Sequence, residues 1–143
     1  MKIRDLLAAK GDAVEVTALD ATIADVVARL TRLGIGALVV TGTTGTVDGI
    51  ISERDVVRVL AAHGDGALAR LVKDEMSSPV TTCSPDDEMT TLMSLMTERR
   101  IRHLPVVEAG RLVGIVSIGD VVKSRVDQLE RDRRELLEYV SAR

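Results

Sequence analysis

The chain has 143 residues with 45% apolar side chains, enough for one compact domain with a sizeable core. A formal charge of −3 and a single aromatic residue, Tyr139, argue against nucleic acid as a partner, because strand binding uses a basic groove and stacked rings. One cysteine, Cys83, excludes an internal disulfide and a thiolate cluster, and no signal-peptide run or bilayer-length apolar stretch is present, so a soluble cytoplasmic protein without membrane contact is expected.

In chain order, residues 14–16, Val14-Glu15-Val16, read as a short strand. Asp20-Ala21-Thr22 then caps a helix in which Ile23, Val26, Val27, Leu30 and Leu33 recur at helical spacing and which Gly34 ends. Residues 37–41 read as a buried strand, 42–45 as a turn and 46–52 as a second strand. Val56, Val57, Leu60 and Ala61 supply the apolar face of the next helix, and a short helix over 67–76 leads onward. The order then recurs: strand 80–82, helix 88–100, strand 103–107, turn 108–110, strand 111–117 and a helix from Ile118. Met89, Met93 and Met96 share one helical face, which suits a core or a dimer contact better than a metal site. Cys83 reads as a small packing residue. Asp120 to Arg143 forms one long helix, an extension over about residues 118–142. Its stripe of Val122, Val126, Leu129, Leu136 and Val140 is flanked by mixed charge, as for a helix that docks along one side.

The recurrence is a repeat. A shift of 66 residues lays Val14-Glu15-Val16 on Val80-Thr81-Thr82, and Ile35-Gly36-Ala37-Leu38-Val39-Val40 on Ile101-Arg102-His103-Leu104-Pro105-Val106. After a one-residue change in the turn, Gly49-Ile50-Ile51-Ser52 falls on Gly114-Ile115-Val116-Ser117, and Asp55-Val56-Val57 on Asp120-Val121-Val122. A copy of roughly sixty residues cannot cover both faces of its small sheet. The expected fold is therefore α/β (α+β): two tandem βαββα repeats, about 1–65 and 66–125, packed about a pseudo-twofold axis into one domain, 1–143.

Each copy carries Ser into a turn with Asp three residues later, Ser52 with Asp55 and Ser117 with Asp120. That spacing is also a helix-capping box, but its recurrence after matched Gly-Ile strands points beyond a cap. Residues 101–107 together with Leu112-Val113-Gly114-Ile115-Val116-Ser117-Ile118-Gly119-Asp120-Val121 resemble the cystathionine β-synthase (CBS) domain. The first copy resembles it too, with Val39 where proline is usual. The resemblance covers nearly the whole chain and identifies it as similar to a stand-alone tandem pair, or Bateman module.

Such a resemblance implies binding of AMP, ADP, ATP, NAD(H) or S-adenosylmethionine between the copies, with AMP the first candidate. It implies that Asp120 and Asp55 accept ribose hydroxyls and that Ser52 and Ser117 reach ribose or phosphate. In the Asp120 site the base would lie among Val14, Val16, Ile35 and Ile115. Arg102 and His103 stand there at phosphate-binding positions, with a surface charge and a structural histidine as the plainer readings. In the Asp55 site the wall would be Val80, Thr82, Ile101 and Ile50, with Gly36 and Ala37 in place of Arg102 and His103 and Arg54 as partial substitute. The Asp120 site accordingly ranks first. The expected function is regulatory rather than enzymatic, with no catalytic cofactor: a nucleotide sensor, homodimeric, acting on a protein partner. A structural interaction protein with vestigial sites is the alternative.

Overall fold

The computed structural model describes residues 1–11 and 13–142, so Arg143, the end of the expected C-terminal helix, lies outside the described residues. A helix absent from the sequence reading, α1 (Ile3–Lys10), opens the chain. It is followed by β1 (Val16–Ala18), α2 (Ile23–Leu33), β2 (Ala37–Thr41), β3 (Val47–Ser52) and α3 (Glu53–His63). After a 3-10 segment over Gly64–Ala69 come α4 (Val72–Glu75), α5 (Met89–Arg99), β4 (His103–Glu108), β5 (Arg111–Ser117) and α6 (Ile118–Ser141). The first strand thus starts where the expected one, 14–16, ends. Local chemistry sets the helix bounds: Thr22 and Asp25 form a reciprocal capping box on α2, and Gly34 ends it at φ +64°. No helix among the described residues is long and apolar enough to cross a membrane.

The first half holds a three-stranded sheet in which β2 lies parallel to β1 and antiparallel to β3. The second half holds only the antiparallel pair β4–β5. The strand expected over 80–82 is reduced to a single bridge, in which Cys83 exchanges backbone hydrogen bonds with Pro105 and Val107. The cause is one residue. Val39 donates its N–H to Glu15 at 3.2 Å, whereas Pro105, at the matching place, has no N–H to give.

Each half is completed by a segment from the other. Ile3, Leu6 and Leu7 of α1 join Leu92, Met96, Leu104, Val106, Val116 and Val121 in the second core, although the sequence division places them in repeat one. Ala67, Val72 and Met76 pack into the first core with Ile23, Val26, Leu38 and Ile51. The hydrogen bonds repeat with the same exchange. Ile3 N–H donates to Asp87 as Val72 does to Ala21, and Met89 N–H donates to Met1 as Ile23 does to Arg70. The pseudo-twofold axis is therefore written into paired backbone contacts.

The exchange explains the repeated glycine. A Cβ on Gly114 would stand 2.8 Å from Leu7, and one on Gly49 would stand 2.7 Å from Met76 Sδ and 2.8 Å from the Ser77 carbonyl. Both segments need a bare backbone to lie against.

Helix faces correct two expectations and, for Met89 and Met96, decide between the two expected roles in favour of the core. On α3 the buried residues are Asp55, Val56 and Val59, while Val57 and Leu60 are exposed, because the motif aspartate turns inward at the first turn. Met89 and Met96 are core residues of their own half, which removes them from any dimer face. On α6 only Val121 is buried; Val122, Val126, Leu129, Leu136 and Val140 are all more than half exposed, since the helix runs past the core it caps.

Candidate functional site

The Ser-x-x-Asp turn of the first half is closed and fully bonded. Asp55 is buried. Its Oδ2 accepts the Ser52 N–H at 2.9 Å and the Ser52 hydroxyl at 3.1 Å. Its Oδ1 accepts Arg58 at 3.1 Å and the Ser77 hydroxyl at 3.0 Å. Four donors fill the four acceptor positions of a carboxylate. Ser77 is fixed by exchanging two backbone hydrogen bonds with Ile50 of β3, at 2.9 and 3.1 Å. Arg58 reaches on to the Glu75 carbonyl at 2.8 Å, and buried Glu75 is in turn paired with Arg70 at 2.7 Å.

A cleft of about 210 Å³ opens beside this turn, between the halves. Ile50, Val80 and Ile101 form apolar walls, and Ser52, Asp55 and Ser77 form a polar rim. Arg54, Arg100, Arg102 and His103 line the remainder with Glu53. Because Asp55 already faces Arg58, the three cleft guanidiniums outweigh Glu53 and leave the space electropositive. Arg54 crosses the dyad to donate to the Arg100 carbonyl at 3.1 Å. Arg100 holds φ +54°, the left-handed helix end that Gly34 supplies in the first copy. The His103 ring lies over Gly36, where a Cβ would come within 3.2 Å of two ring atoms. Burial pushes the His103 imidazole below its ordinary value; Glu53 and Asp120 oppose this, while Lys10 and Arg102 add to it.

The second turn is built alike and occupied differently. Ser117 and Asp120 cap each other, at 2.9 and 3.1 Å. The remaining partner of Asp120 Oδ2 is Lys10, from the last turn of α1, at 2.5 Å. The same ammonium donates to the Ile115 carbonyl at 2.8 Å. Burial alone would raise the Asp120 carboxyl, but Lys10 and the two Ser117 donors outweigh it and hold it below the usual carboxylate range. A larger hollow of about 420 Å³ lies on this side between α1 and α6, lined by Lys10, Asp120, Lys123, Asp127 and Arg131 among others.

Of the residues expected around Asp55, the cleft gathers Ser52, Arg54, Ile50, Val80 and Ile101, with Thr81 on the wall in place of exposed Thr82. Arg102 and His103, expected with Asp120, also line the Asp55 cleft. The start of β4 faces the start of β2 across the dyad, so these residues point toward the other copy's turn. Asp120 shares its hollow with none of Val14, Val16, Ile35, Ile115, Ser117, Arg102 or His103; Val16 is 38% exposed on the outer edge of β1. Sequence reasoning missed Lys10, Ser77 and Arg100. Lys10 and Ser77 lie outside the repeat motif, and only the positive φ demanded of a helix end in Gly34 marks Arg100.

The sequence model of the CBS domain matches twice, over residues 12–62 and 72–127. The chain is 34% identical to the mitochondrial CBS domain-containing protein CBSX3 of Arabidopsis thaliana, over 96% of this chain and 71% of that one. It spans smaller shares, 53% and 35%, of two other curated relatives. Among solved structures, the CBS-domain containing protein ATU1752 of Agrobacterium tumefaciens superposes with a TM-score of 0.84 at 43% identity, covering 87% of this chain and 92% of that one. The domain pair of protein MJ0100, solved with 5′-methylthioadenosine and S-adenosyl-L-methionine, shares the fold at TM-score 0.77 and 23% identity, covering 90% and 98%.

Proposed function

The chain belongs to the CBS-domain family, and from that premise we propose that it is a regulatory module binding an adenosine ligand in the Asp55 cleft. AMP is the first candidate, ahead of ADP, ATP, NAD(H) and S-adenosylmethionine. One observation carries the reading: Arg102 and His103 of the second repeat line the same cleft as Ser52 and Asp55 of the first. Phosphate would meet Arg102, Arg54 and Arg100, where a charged hydrogen bond contributes ~1.5–3 kcal/mol. Ribose hydroxyls would take over the acceptor positions that the Ser52 and Ser77 hydroxyls hold on Asp55, one neutral donor replacing another. The base would lie between Ile50, Val80 and Ile101, an aliphatic slot in a chain without Phe or Trp. This reverses the ranking drawn from sequence, which assigned the basic pair to Asp120. The adenosine ligands of the fold neighbour support the ligand class.

At about 210 Å³ the cleft is smaller than the ~300–1,000 Å³ common for ligand pockets. A whole nucleotide must part the two repeats, and a ligand that favours the parted form shifts the population toward it. The exposed faces of α3 and α6, with Val57, Leu60, Val122, Val126 and Leu129, are the surfaces on which such a shift would be read. They also fit a homodimer, for which light scattering at micromolar concentration should give twice the chain mass; a monomer mass contradicts it.

A thermal-shift screen against the five adenosine ligands, with GMP and CMP as controls, tests the function. A ligand at ~100 times its Kd adds about 2.7 kcal/mol, equivalent to roughly 5–10 °C for a chain of this size. A selective shift supports the sensor. No shift, with protein free of co-purified nucleotide, favours the structural interaction protein.

A further inference from the structure

Lys10 occupies the position in the second half that Ser77 occupies in the first. Ser77 satisfies the Ile50 carbonyl and Asp55 with a backbone N–H and a neutral hydroxyl. Lys10 satisfies the matching Ile115 carbonyl and Asp120 with one ammonium. The helix that carries the ammonium is held in place. Ile3, Leu6 and Leu7 hold α1 in the second core, Gly11 N–H closes the helix on the Leu7 carbonyl, and a cation suits the helix C-terminal end. Lys10 and Asp120 keep only 31% and 24% of their side-chain surface exposed, so solvent screens the pair less than it would an exposed one.

We infer that Lys10 is a tethered competitor for the Asp120 subsite, and that it makes the two halves unequal toward adenosine ligands. This rests on the nucleotide reading above. A ribose diol spanning both oxygens of Asp120 meets the ammonium at Oδ2, and a base donor meets it at the Ile115 carbonyl. At Asp55 the group displaced is a serine hydroxyl, which rotates away without leaving a charge unmatched. The Asp55 cleft therefore fills first, and the Asp120 subsite fills only when Lys10 is released.

Adenosine is the suitable probe, because its lack of phosphate separates the ribose–carboxylate contact from any attraction of Lys10 for an anion. Calorimetric titration of the full chain should show a second adenosine-binding step, at Asp120, about tenfold tighter, ~1.4 kcal/mol, in Lys10→Met than in the unaltered protein, with the first step at the Asp55 cleft unchanged. The gain should vanish when Asp120→Asn is added, and Lys10→Arg should behave as the unaltered protein. Unchanged or weaker adenosine binding in Lys10→Met overturns the inference. If AMP still binds and Arg102→Ala still weakens it, the cleft reading survives that failure. If no variant takes up adenosine or AMP, both fall. Should Lys10→Met lose its circular-dichroism signature, Lys10→Gln carries the same expectation; loss of fold in both makes Lys10 a structural strut and overturns its role as competitor.

Discussion

The two Ser-x-x-Asp turns stand at equivalent points of one repeated fold and meet different neighbours. Asp55 is buried under four donors, three of them side chains, of Ser52, Arg58 and Ser77, anchored to strand, helix and linker. Asp120 is half-buried, shares its turn with Ser117 and takes an ammonium from the N-terminal helix. The motif sets the carboxylate; the exchanged segment decides what the carboxylate is free to do. Since the second half takes that segment from the N-terminal helix and the first takes it from the linker between the repeats, two similar repeats acquire different chemistry without changing the motif itself.

The contrast breaks most visibly in stability. Asp55→Ala empties a buried carboxylate site and strips a shared partner from two part-buried hydroxyls and an arginine, and urea denaturation should show a loss of ~2–4 kcal/mol. Asp120→Ala removes a cap and a partly exposed ion pair, and should cost only ~1 kcal/mol. Equal losses would deny the difference between the halves. Next in size is ligand binding. Arg102→Ala should weaken AMP about tenfold, ~1.4 kcal/mol, and leave adenosine unchanged in the same calorimetric titration; equal loss for both ligands would remove Arg102 from the phosphate. A smaller effect sharpens the comparison of helix ends. Arg100→Gly gives the second copy the residue that Gly34 provides in the first, relieves φ +54°, and should raise stability by ~0.5–1 kcal/mol.

The smallest effect is a pH slope. Burial lowers the His103 imidazole below its ordinary 6.5, so the unfolded chain takes up this proton at higher pH than the folded one. The stability His103 contributes is complete above 6.5 and declines as pH falls from there to the folded value. Asp120, held below its ordinary 3.8, loses its share only at lower pH, in a separate window. His103→Gln should flatten the first decline and leave the second; an unchanged profile would show that the ring titrates as in solvent.

Much of this was legible in the residues. The matched Gly-Ile-x-Ser turns revealed the repeat, and helical spacing placed Ile23, Val26 and Leu30 on the core side of α2, where they are buried. Ile50, Val80, Ile101 and Arg54 were assigned to Asp55 and meet it in one cleft. What stayed hidden depends on the dyad. Aligning one copy on the other shows which residues are equivalent, not which face each other, so Arg102 and His103 were credited to their own copy's aspartate. Ile3, Leu6 and Leu7 do recur at helical spacing, but eight residues at the start of repeat one carry no sign of packing on the second. Pro105 belongs to the motif, yet its missing N–H costs a strand only because a neighbour lies in register to need it.

A crystal structure of the protein grown with AMP tests the inequality of the two turns most directly. The expected structure has a nucleotide between the repeats, phosphate against Arg102 and Arg54, ribose on Asp55 in place of the serine hydroxyls, and Lys10 still on Asp120. A nucleotide bound at Asp120 with Lys10 displaced and the Asp55 cleft empty would contradict it.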